Sequence, residues 1–314
     1  MMLARVADSL YWVGRYLERT EHLSRLSDVM LTATLDQNDA AVAVAQVAVA
    51  AAGDPVAFLD GRTIYDAVRS LTFDRDDEGS VVSCLAQARE NARQVRDQIT
   101  TETWERLNML YLRVTDPLAE QTFAHASSTF MHSIIADLHL IKGAIDSTMS
   151  HGDGWRFLLL GVYMERAQLI ARLLDVCFGD RPVSGLLGNH FVQIAVLRMA
   201  CALEPYLRVY TAEIDPRLIL QFVLFDQEFP RSIRFSTLRM EEHLARLTQR
   251  LDPSDRAGPA RLAARLSGRL QFADMDESLA AGQLLGAVVA ECARIHHAVY
   301  ETFVAYPLEQ RLPA

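Results

Sequence analysis

Residues 14–19 read Gly-Arg-Tyr-Leu-Glu-Arg, and residues 161–166 read Gly-Val-Tyr-Met-Glu-Arg. The match continues at the same offset of 147 and gives eight identities in the sixteen positions that start at each glycine. A match of this quality in a 314-residue chain predicts an internal duplication, with one unit over about residues 1–152 and the other over 153–314. No long or low-complexity linker separates the units. We therefore expect them to pack as one body, a single domain over residues 1–314.

The matched segments share a polar stripe as well as an apolar helix face. On a helical wheel the polar residues of each segment fall in one row, with the glycine near its middle. The rows contain Glu18, Glu21, His22, Arg25 and Asp28 in the first segment and Glu165, Gln168, Arg172 and Asp175 in the second. Glycine inside a helix costs about 0.5–1 kcal/mol relative to alanine. Its presence at the same point of both segments indicates that something approaches the backbone closely there.

We therefore expect the two helices to cross near Gly14 and Gly161, with the carboxylates of one segment meeting the arginines of the other. The second helix is apolar on nearly all its faces, which places it in the core, and charges buried there must be paired. Two interpretations of the stripe remain open. It is either a buried ion-pair network that fixes helix register or a polar pocket that also receives a ligand.

Almost every other segment has a helical period, and no run of alternating β-branched residues indicates a strand. The sequence predicts an all-α protein, a helical bundle built from two sequence-related halves packed as one body. Turn residues such as Gly53-Asp54-Pro55 and Asp116-Pro117 mark the breaks. The predicted helices run over about residues 4–35, 40–52, 62–71, 81–99, 101–112, 118–149, 155–178, 187–211, 216–225, 230–251, 257–270 and 274–306.

Composition limits the class of partner. The chain carries 31 basic and 40 acidic residues, a formal net charge of −9, which disfavours nucleic acid or an anionic membrane as a partner. The most apolar stretch, residues 40–52, would span only about 20 Å as a helix, which is too short for a bilayer. Four widely separated cysteines suggest neither a disulfide framework nor a thiolate metal site. The N-terminus lacks the basic start and apolar run of a signal peptide, so a cytoplasmic location is expected.

A second polar cluster follows in the first half. Arg89, Arg93 and Arg96 stand at i, i+4 and i+7, which places three guanidinium groups on one face of a predicted helix. Such a face suits a phosphate or carboxylate ligand. It equally suits pairing with acids such as Asp97 and Glu105 across a helix junction. Both interpretations are kept.

The sequence contains no Walker-type loop, G-x-S-x-G, G-x-G-x-x-G or H-E-x-x-H motif. Glu18, Glu21 and His22 invite comparison with di-iron bundles, which use Glu-x-x-His pairs on facing helices. Here Glu18 and His22 are four residues apart, and the second segment has Leu169 where the histidine should repeat. We therefore predict no metal site and no cofactor.

Several stretches together resemble the bacterial alpha-E domain family, an all-helical domain named for a Glu-Arg motif. They are residues 2–12 and 14–21, Arg89-Glu90-Asn91-Ala92-Arg93, Trp104-Glu105, Leu107-Asn108, residues 154–158 and Glu165-Arg166-Ala167. The resemblance covers essentially the full length and is weaker around residues 187–210. It implies that Glu18-Arg19 and Glu165-Arg166 are the family's defining positions.

The resemblance also implies a functional setting. Members of this family are typically encoded beside circularly permuted ATP-grasp proteins, transglutaminase-like proteins and Ntn-type hydrolases, a context of peptide-like amide synthesis or processing. We predict a non-catalytic accessory or binding protein that docks on a circularly permuted ATP-grasp ligase. A transglutaminase-like protein is a further candidate partner, and a peptide-like molecule is a candidate ligand.

The alternative is an enzyme of peptide or amide metabolism that uses Glu18 or Glu165 as a general base and arginines to bind a carboxylate. A closed and paired stripe favours the accessory role, whereas an open cleft with a glutamate of raised pKa favours the enzyme. No residue is predicted to be catalytic. The predicted site, as binding residues or as a core ion-pair network, comprises Gly14, Tyr16, Glu18, Arg19, Glu21, Arg25, Arg89, Glu90, Asn91, Arg93, Arg96, Gly161, Tyr163, Glu165, Arg166, Arg172 and Asp175.

Overall fold

The computed structural model describes residues 2–35, 40–180, 182–183, 188–211, 213–251, 258–273 and 281–305, and in these ranges the chain forms α-helices and no strand. The all-α prediction is confirmed. The helices are α1 (Ala4–Leu35), α2 (Ala40–Ala52), α3 (Ile64–Phe73), α4 (Val81–Gln94), α5 (Thr101–Val114), α6 (Ala119–His125), α7 (Ser127–Thr148), α8 (Asp153–Phe178), α9 (His190–Met199), α10 (Leu203–Tyr210), α11 (Pro216–Phe225), α12 (Ile233–Leu247), α13 (Pro259–Gln271) and α14 (Ala281–Phe303). Short 3₁₀ turns occupy Val56–Leu59 and Thr248–Arg250.

The long helices α1 and α8 form the centre of the bundle and make its most extensive helix–helix contact. On one side α1 packs against α4, α7 and α2, and on the other α8 packs against α12 and α14. Because neighbours cover the pair on most sides, both helices bury residues around most of their circumference. Their few charged residues are therefore carried into the interior.

The outer helices form two similar groups. In the first half α5 packs on α4 and α7, and in the second half α13 packs on α12 and α14. The helices α3 and α11 have ten residues each and begin 152 positions apart. Serine side chains cap the next helices, Ser80 at α4 and Ser232 at α12, again 152 positions apart.

Two predicted helices are divided in the structure. The helix predicted over 118–149 breaks at Ala126, whose φ of −153° and ψ of 66° end α6 and precede α7. The helix predicted over 187–211 breaks between α9 and α10, where Cys201 adopts a left-handed φ of 56°. The break at Ala126 contains neither glycine nor proline, so local sequence gave no signal for it. The break at Cys201 is followed by Pro205 in the first turn of α10, and proline at that place indicates the start of a new helix. The predicted bounds at residues 187, 257, 274 and 306 lie outside the described residues.

Among the helices of the described ranges, none is both long and apolar enough to cross a bilayer.

Candidate functional site

The centre of the site is the crossing of α1 over α8, where the two glycines of the repeated segments lie. A Cβ atom on Gly14 would stand 2.0 Å from the carbonyl oxygen of Leu158, and one on Gly161 would stand 2.0 Å from that of Tyr11. Two non-bonded atoms cannot approach this closely, and the atoms in the way belong to the backbone of the facing helix. Only glycine therefore fits at these two positions. The predicted crossing near both glycines is confirmed. It brings the polar side chains of the two segments within direct hydrogen-bond reach.

The glutamate of each repeated segment forms an ion pair with the arginine of the other segment. The Nε and Nη2 atoms of Arg166 donate to the two oxygens of Glu18 at 2.7 and 2.8 Å. In return, Nε of Arg19 donates to Oε1 of Glu165 at 2.7 Å. The expectation that carboxylates of one segment meet arginines of the other is confirmed. Because both pairs are charge-assisted and Arg166 binds bidentately, the pairing also fixes the orientation of the two helices.

A second arginine of α1 completes the environment of Glu165. Arg15 donates from Nε to Oε2 of Glu165 at 2.6 Å and from Nη2 to Oε1 of Gln168 at 2.9 Å. Its guanidinium carbon lies 5.0 Å from the centre of the Trp12 ring. The ring of His296, on α14, accepts or donates a 3.0 Å hydrogen bond at the hydroxyl of Tyr11 beside this arginine. Helix α14 is thereby connected to the crossing.

Glu18 and Glu21 share a second group of cations. Lys142 of α7 contacts both carboxylates, at 2.5 Å from Glu18. Arg231, which precedes α12, lies 3.2 Å from Glu18 and 2.9 Å from Glu21. Arg25 closes the group, 2.8 Å from Glu21. Four helices or their termini therefore meet at two adjacent carboxylates.

The pairing keeps all three glutamates ionised. Burial alone would raise the pKa of Glu165, but the guanidinium groups of Arg15 and Arg19 outweigh it, and the pKa is lowered from its usual value. The pKa of Glu18 is likewise held well below its usual range, since Arg166, Lys142 and Arg231 together overcome its burial. The pKa of Glu21 is lowered for the same reason, chiefly by Lys142 and Arg231. None of these carboxylates has the raised pKa expected of a general base.

Within the described ranges, six cationic side chains surround the three buried glutamates, which leaves an excess of positive charge in an acidic protein. Three of the six reach solvent: the side chains of Arg19, Lys142 and Arg25 are 29%, 23% and 19% exposed. The glutamates themselves are at most 3% exposed. The network therefore hides its negative charge and presents positive charge at its edges.

Each Glu-Arg segment also stacks its arginine over a tyrosine three residues earlier. The guanidinium carbon of Arg19 lies 5.8 Å from the ring centre of Tyr16, and that of Arg166 lies 5.3 Å from the ring centre of Tyr163. Tyr163 in turn stacks on His243 of α12 with ring centres 5.8 Å apart. Both predicted tyrosines thus contact the network, as supports for its arginines.

His22 lies inside the site without taking part in its pairing. It is fully buried, and neither ring nitrogen has a hydrogen-bond partner among the described residues. Burial, followed by the charge of Arg231, lowers the pKa of His22 to about 3. The imidazole is therefore neutral at pH 7.

The C-terminal part of the predicted stripe was wrong. Arg172 and Asp175 are exposed, and no described residue forms an ion pair with either of them. Beyond Gln168 the α8 stripe turns out to solvent, with Arg172 lying against Gly53. The buried cation is instead Arg166, which sits among the apolar residues of the helical wheel. Its burial is possible because Glu18 meets it there.

The predicted three-arginine face is not formed. Helix α4 ends at Gln94, so Arg96 lies beyond it and contacts Thr101 at 3.4 Å. Arg89 donates to Asn108 at 2.7 Å and stacks over Tyr111 at 4.8 Å. The remaining predicted residues act locally: Arg93 pairs with Glu90 on the surface, and Asn91 bonds to the carbonyl of Gln87.

The interpretation as pairing with Asp97 or Glu105 does not hold, because no ion pair among the described residues joins these arginines to either acid. The interpretation as a site for a phosphate or carboxylate stays a prediction. A third Glu-Arg dipeptide, Glu105-Arg106, is exposed on α5. The dipeptide alone therefore does not predict the buried pairing. In both buried copies a helix-crossing glycine stands four residues before the glutamate, whereas Thr101 has that place before Glu105.

Four contributors escaped the sequence analysis: Arg15, Lys142, Arg231 and His296. Lys142 is the single lysine of the chain, yet nothing in its surroundings pointed to Glu18. Arg231 and His296 reach the site from segments distant in sequence, 210 and 281 residues from their partners Glu21 and Arg15. Within the described ranges no group of three histidine, cysteine or acidic side chains converges as metal ligands do.

Comparison with known proteins adds a family. The model of the Alpha-E family, described as a predicted alpha-helical domain with a conserved ER motif, matches residues 2–304. The chain is similar to the uncharacterised protein Mb2597 of Mycobacterium bovis and to the uncharacterised protein Rv2567 of Mycobacterium tuberculosis. Each is 25% identical, and the match covers 87% of this chain and 33% of the relative. The chain thus spans about a third of the length of these relatives. No solved structure matches.

Proposed function

The chain belongs to the alpha-E family, and from this premise we propose that it is a non-catalytic helical accessory protein of an ATP-grasp type ligase that forms peptide or amide bonds. The expected ligase is of the circularly permuted kind, with a transglutaminase-like protein as a further candidate partner. The ligase is expected to bind the exposed surface of the bundle, because the Glu-Arg pairs lie in its interior and stabilise the fold.

The closed pairing of Glu18 and Glu165 is the observation that carries this proposal. A general base must have an oxygen free to take a proton and a pKa near the working pH. Both carboxylates instead have their oxygens occupied by guanidinium nitrogens at 2.6–2.8 Å and a lowered pKa. This geometry counts against the alternative of an amide-metabolising enzyme that uses either glutamate as its base.

The length of the relatives supports a role beside another protein. In the mycobacterial relatives, the matching stretch is one third of a longer polypeptide. A domain that is fused to another domain in one protein commonly binds the equivalent of that domain non-covalently when the two are separate proteins. The resemblance to the family supplies the expectation that this partner is an amide ligase.

We also propose that the bundle arose by duplication of one helical unit. The helices α3 and α11, and the capping residues Ser80 and Ser232, stand at a common offset of 152. The reciprocal pairs Glu18–Arg166 and Glu165–Arg19 support the same view. Two copies of one helix that cross at equivalent points place equivalent residues opposite each other.

The proposed location is the cytoplasm, where ATP-dependent ligation takes place. The four cysteines are unpaired, and three of them are buried. Unpaired cysteines are usual in a reducing compartment.

Copurification with the ligase encoded next to the gene tests the accessory role. The tagged protein should retain that ligase and alter its turnover in an ATP-dependent amide-forming assay. Glu165→Gln should reduce ligase retention only as far as it reduces the folded fraction, measured by circular dichroism. Glu105→Gln, at an exposed Glu-Arg dipeptide, is the matched control and should leave the folded fraction unchanged.

Two outcomes contradict the proposal. The first is a ligase that neither binds the wild-type protein nor changes its turnover in its presence. The second is a Glu165→Gln protein that is fully folded and ligase-bound but inactive, because this result would assign Glu165 a chemical role.

A further inference from the structure

An open cleft of about 450 Å³ lies beside the Glu165 pair, where α1, α4 and α5 meet the loop between α3 and α4. Its volume is within the range of small-molecule sites. The lining is rich in hydrogen-bonding and charged groups, which include Tyr16, Arg19, Arg75, Glu78, Ser83 and Tyr111. A polar cleft next to an interior with excess positive charge is the strongest candidate for a binding site outside the buried pairs.

Arg19 connects this cleft to the buried network. Its Nε is used by Glu165, but no oxygen of the described residues accepts from Nη1 or Nη2, and the side chain is 29% exposed. The thiol of Cys84 is the other polar group at hydrogen-bond reach of this side chain. The outer edge of the guanidinium therefore remains available to a ligand in the cleft.

Arg166 is the equivalent arginine of the second Glu-Arg segment, and each of its three guanidinium nitrogens has a hydrogen-bond acceptor. Its Nε and Nη2 bind Glu18, its Nη1 donates to the carbonyl oxygen of Pro230 at 3.0 Å, and its side chain is only 10% exposed. The two Glu-Arg segments thus differ in the surroundings of their arginines: a backbone carbonyl covers Arg166, whereas Arg19 faces a cavity.

The cleft also keeps opposite charges apart. Arg75 and Glu78 both line it, three positions apart, yet no ion pair joins them and no other described residue pairs with either side chain. Two guanidinium groups and one carboxylate are therefore open to the same cavity. A molecule that presents a carboxylate to the arginines and an ammonium group to Glu78 would satisfy all three.

We propose that this cleft binds a free amino acid or short peptide through its carboxylate and its amino group. The inference rests on the proposed function for its biological meaning, because such a molecule is what an amide ligase consumes or makes. A phosphate dianion suits the cleft less well, since Glu78 would repel it while only two arginines attract it.

Isothermal titration of the purified protein with alanylalanine at neutral pH tests the site. Saturable binding with one site per chain is expected. Alanyl-alaninamide, which lacks the carboxylate, and N-acetyl-alanylalanine, which lacks the ammonium group, should each bind about tenfold more weakly or worse, the usual effect of losing one charge-assisted hydrogen bond. Inorganic phosphate should bind more weakly than alanylalanine.

Variants at the rim assign each contact. Arg75→Ala should weaken alanylalanine about tenfold and leave alanyl-alaninamide unchanged. Glu78→Gln should weaken alanylalanine but leave N-acetyl-alanylalanine unchanged or bound more tightly. Both residues are exposed and outside the buried network, so the fold should be intact. Arg217→Ala removes an exposed arginine from α11 and should have no effect.

Absence of saturable alanylalanine binding overturns the inference, as does equal binding by wild type and Arg75→Ala. Phosphate binding tighter than that of alanylalanine also overturns it, because the cleft would then be an inorganic anion site. These titrations contain no ligase. A failed ligase copurification with intact peptide binding would therefore refute the proposed function alone, and the reverse result would refute only this inference.

Discussion

At the scale of single residues, Glu165 depends on two arginines of α1 for its stability in the interior. Its pKa is lowered, so the folded state prefers the ionised form more strongly than the unfolded chain does. The contribution is fully present above the unfolded-state pKa of about 4.3 and is lost as the pH falls through the folded-state pKa. The pKa values of Glu18 and Glu21 are also lowered, so their contributions to stability depend on pH in the same direction.

The free energy of unfolding should therefore decrease steeply as the pH is lowered from about 5 towards 2. At pH 7, Glu165→Gln should cost about 3–5 kcal/mol, because it leaves the buried guanidinium of Arg15 without its carboxylate. The same variant should show a shallower acid dependence than the wild type. Urea unfolding at a series of pH values measures both effects, with Glu105→Gln as the exposed control. Equal acid slopes for Glu165→Gln and wild type would contradict this account.

His22 gives a separate prediction, because its pKa of about 3 lies below the value of about 6.5 in an unfolded chain. Between these values the unfolded state binds the proton and the folded state does not, so stability falls as the pH drops from 6.5 to 3. His22→Leu, which copies Leu169 of the second segment, should remove that part of the pH dependence.

At pH 7, His22→Leu should also stabilise the protein by about 1–2 kcal/mol, since it removes a buried ring whose nitrogens have no hydrogen-bond partner among the described residues. Thermal unfolding at pH 7 and pH 5 measures both effects. A destabilised His22→Leu protein would indicate that the imidazole does form a hydrogen bond, for instance to a buried water molecule.

At the scale of secondary-structure elements, the approach of α1 to α8 is set by Gly14 and Gly161. Alanine at either position would place Cβ 2.0 Å from a carbonyl oxygen of the facing helix, and backbone cannot yield as a side-chain end can. We expect Gly14→Ala and Gly161→Ala to destabilise the fold by at least about 3 kcal/mol or to prevent folding.

Gly143 in α7 is the control for helix propensity. It is also inside a helix, but a Cβ there would meet nothing within 4 Å. Gly143→Ala should stabilise the protein by about 0.5–1 kcal/mol. Expression yield and thermal unfolding of the three variants provide the measurement. Tolerance of alanine at Gly14 would mean that the helices are further apart than the structure places them.

Sequence predicted the crossing helices well because their information is local and appears twice. Glycine, glutamate and arginine recur at one spacing, and a helical wheel converts that spacing into a face. The same wheel failed at Arg172 and Asp175, since it gives a direction and does not tell where the neighbouring helix ends. Lys142 and Arg231 could not be found this way at all, because their contacts with Glu18 arise from tertiary packing over more than 120 residues.

At the scale of the whole molecule, the buried ion pairs cross from one half of the chain to the other, so each half neutralises the buried charges of its partner. Both partners of Glu165, Arg15 and Arg19, belong to the first half, and Arg166 loses Glu18 if the halves separate. The contact between α1 and α8 is also the most extensive in the fold. Neither half should therefore be stable alone, since each would expose a large apolar face together with unpaired charges.

Separate expression of residues 1–152 and 153–314 tests this dependence, with the cut placed at the exposed Gly152 that precedes α8. Each half alone should lack a cooperative thermal transition, whereas the two mixed or coexpressed should form a one-to-one complex with native helical content. The buried ion pairs should determine the affinity between the halves. Glu165→Gln in the second half should therefore weaken the complex, whereas Glu242→Gln, at an exposed position, should not. If each half instead folded cooperatively by itself, the buried Glu-Arg pairs would be an interface between two domains, and their role in building a single core would be refuted.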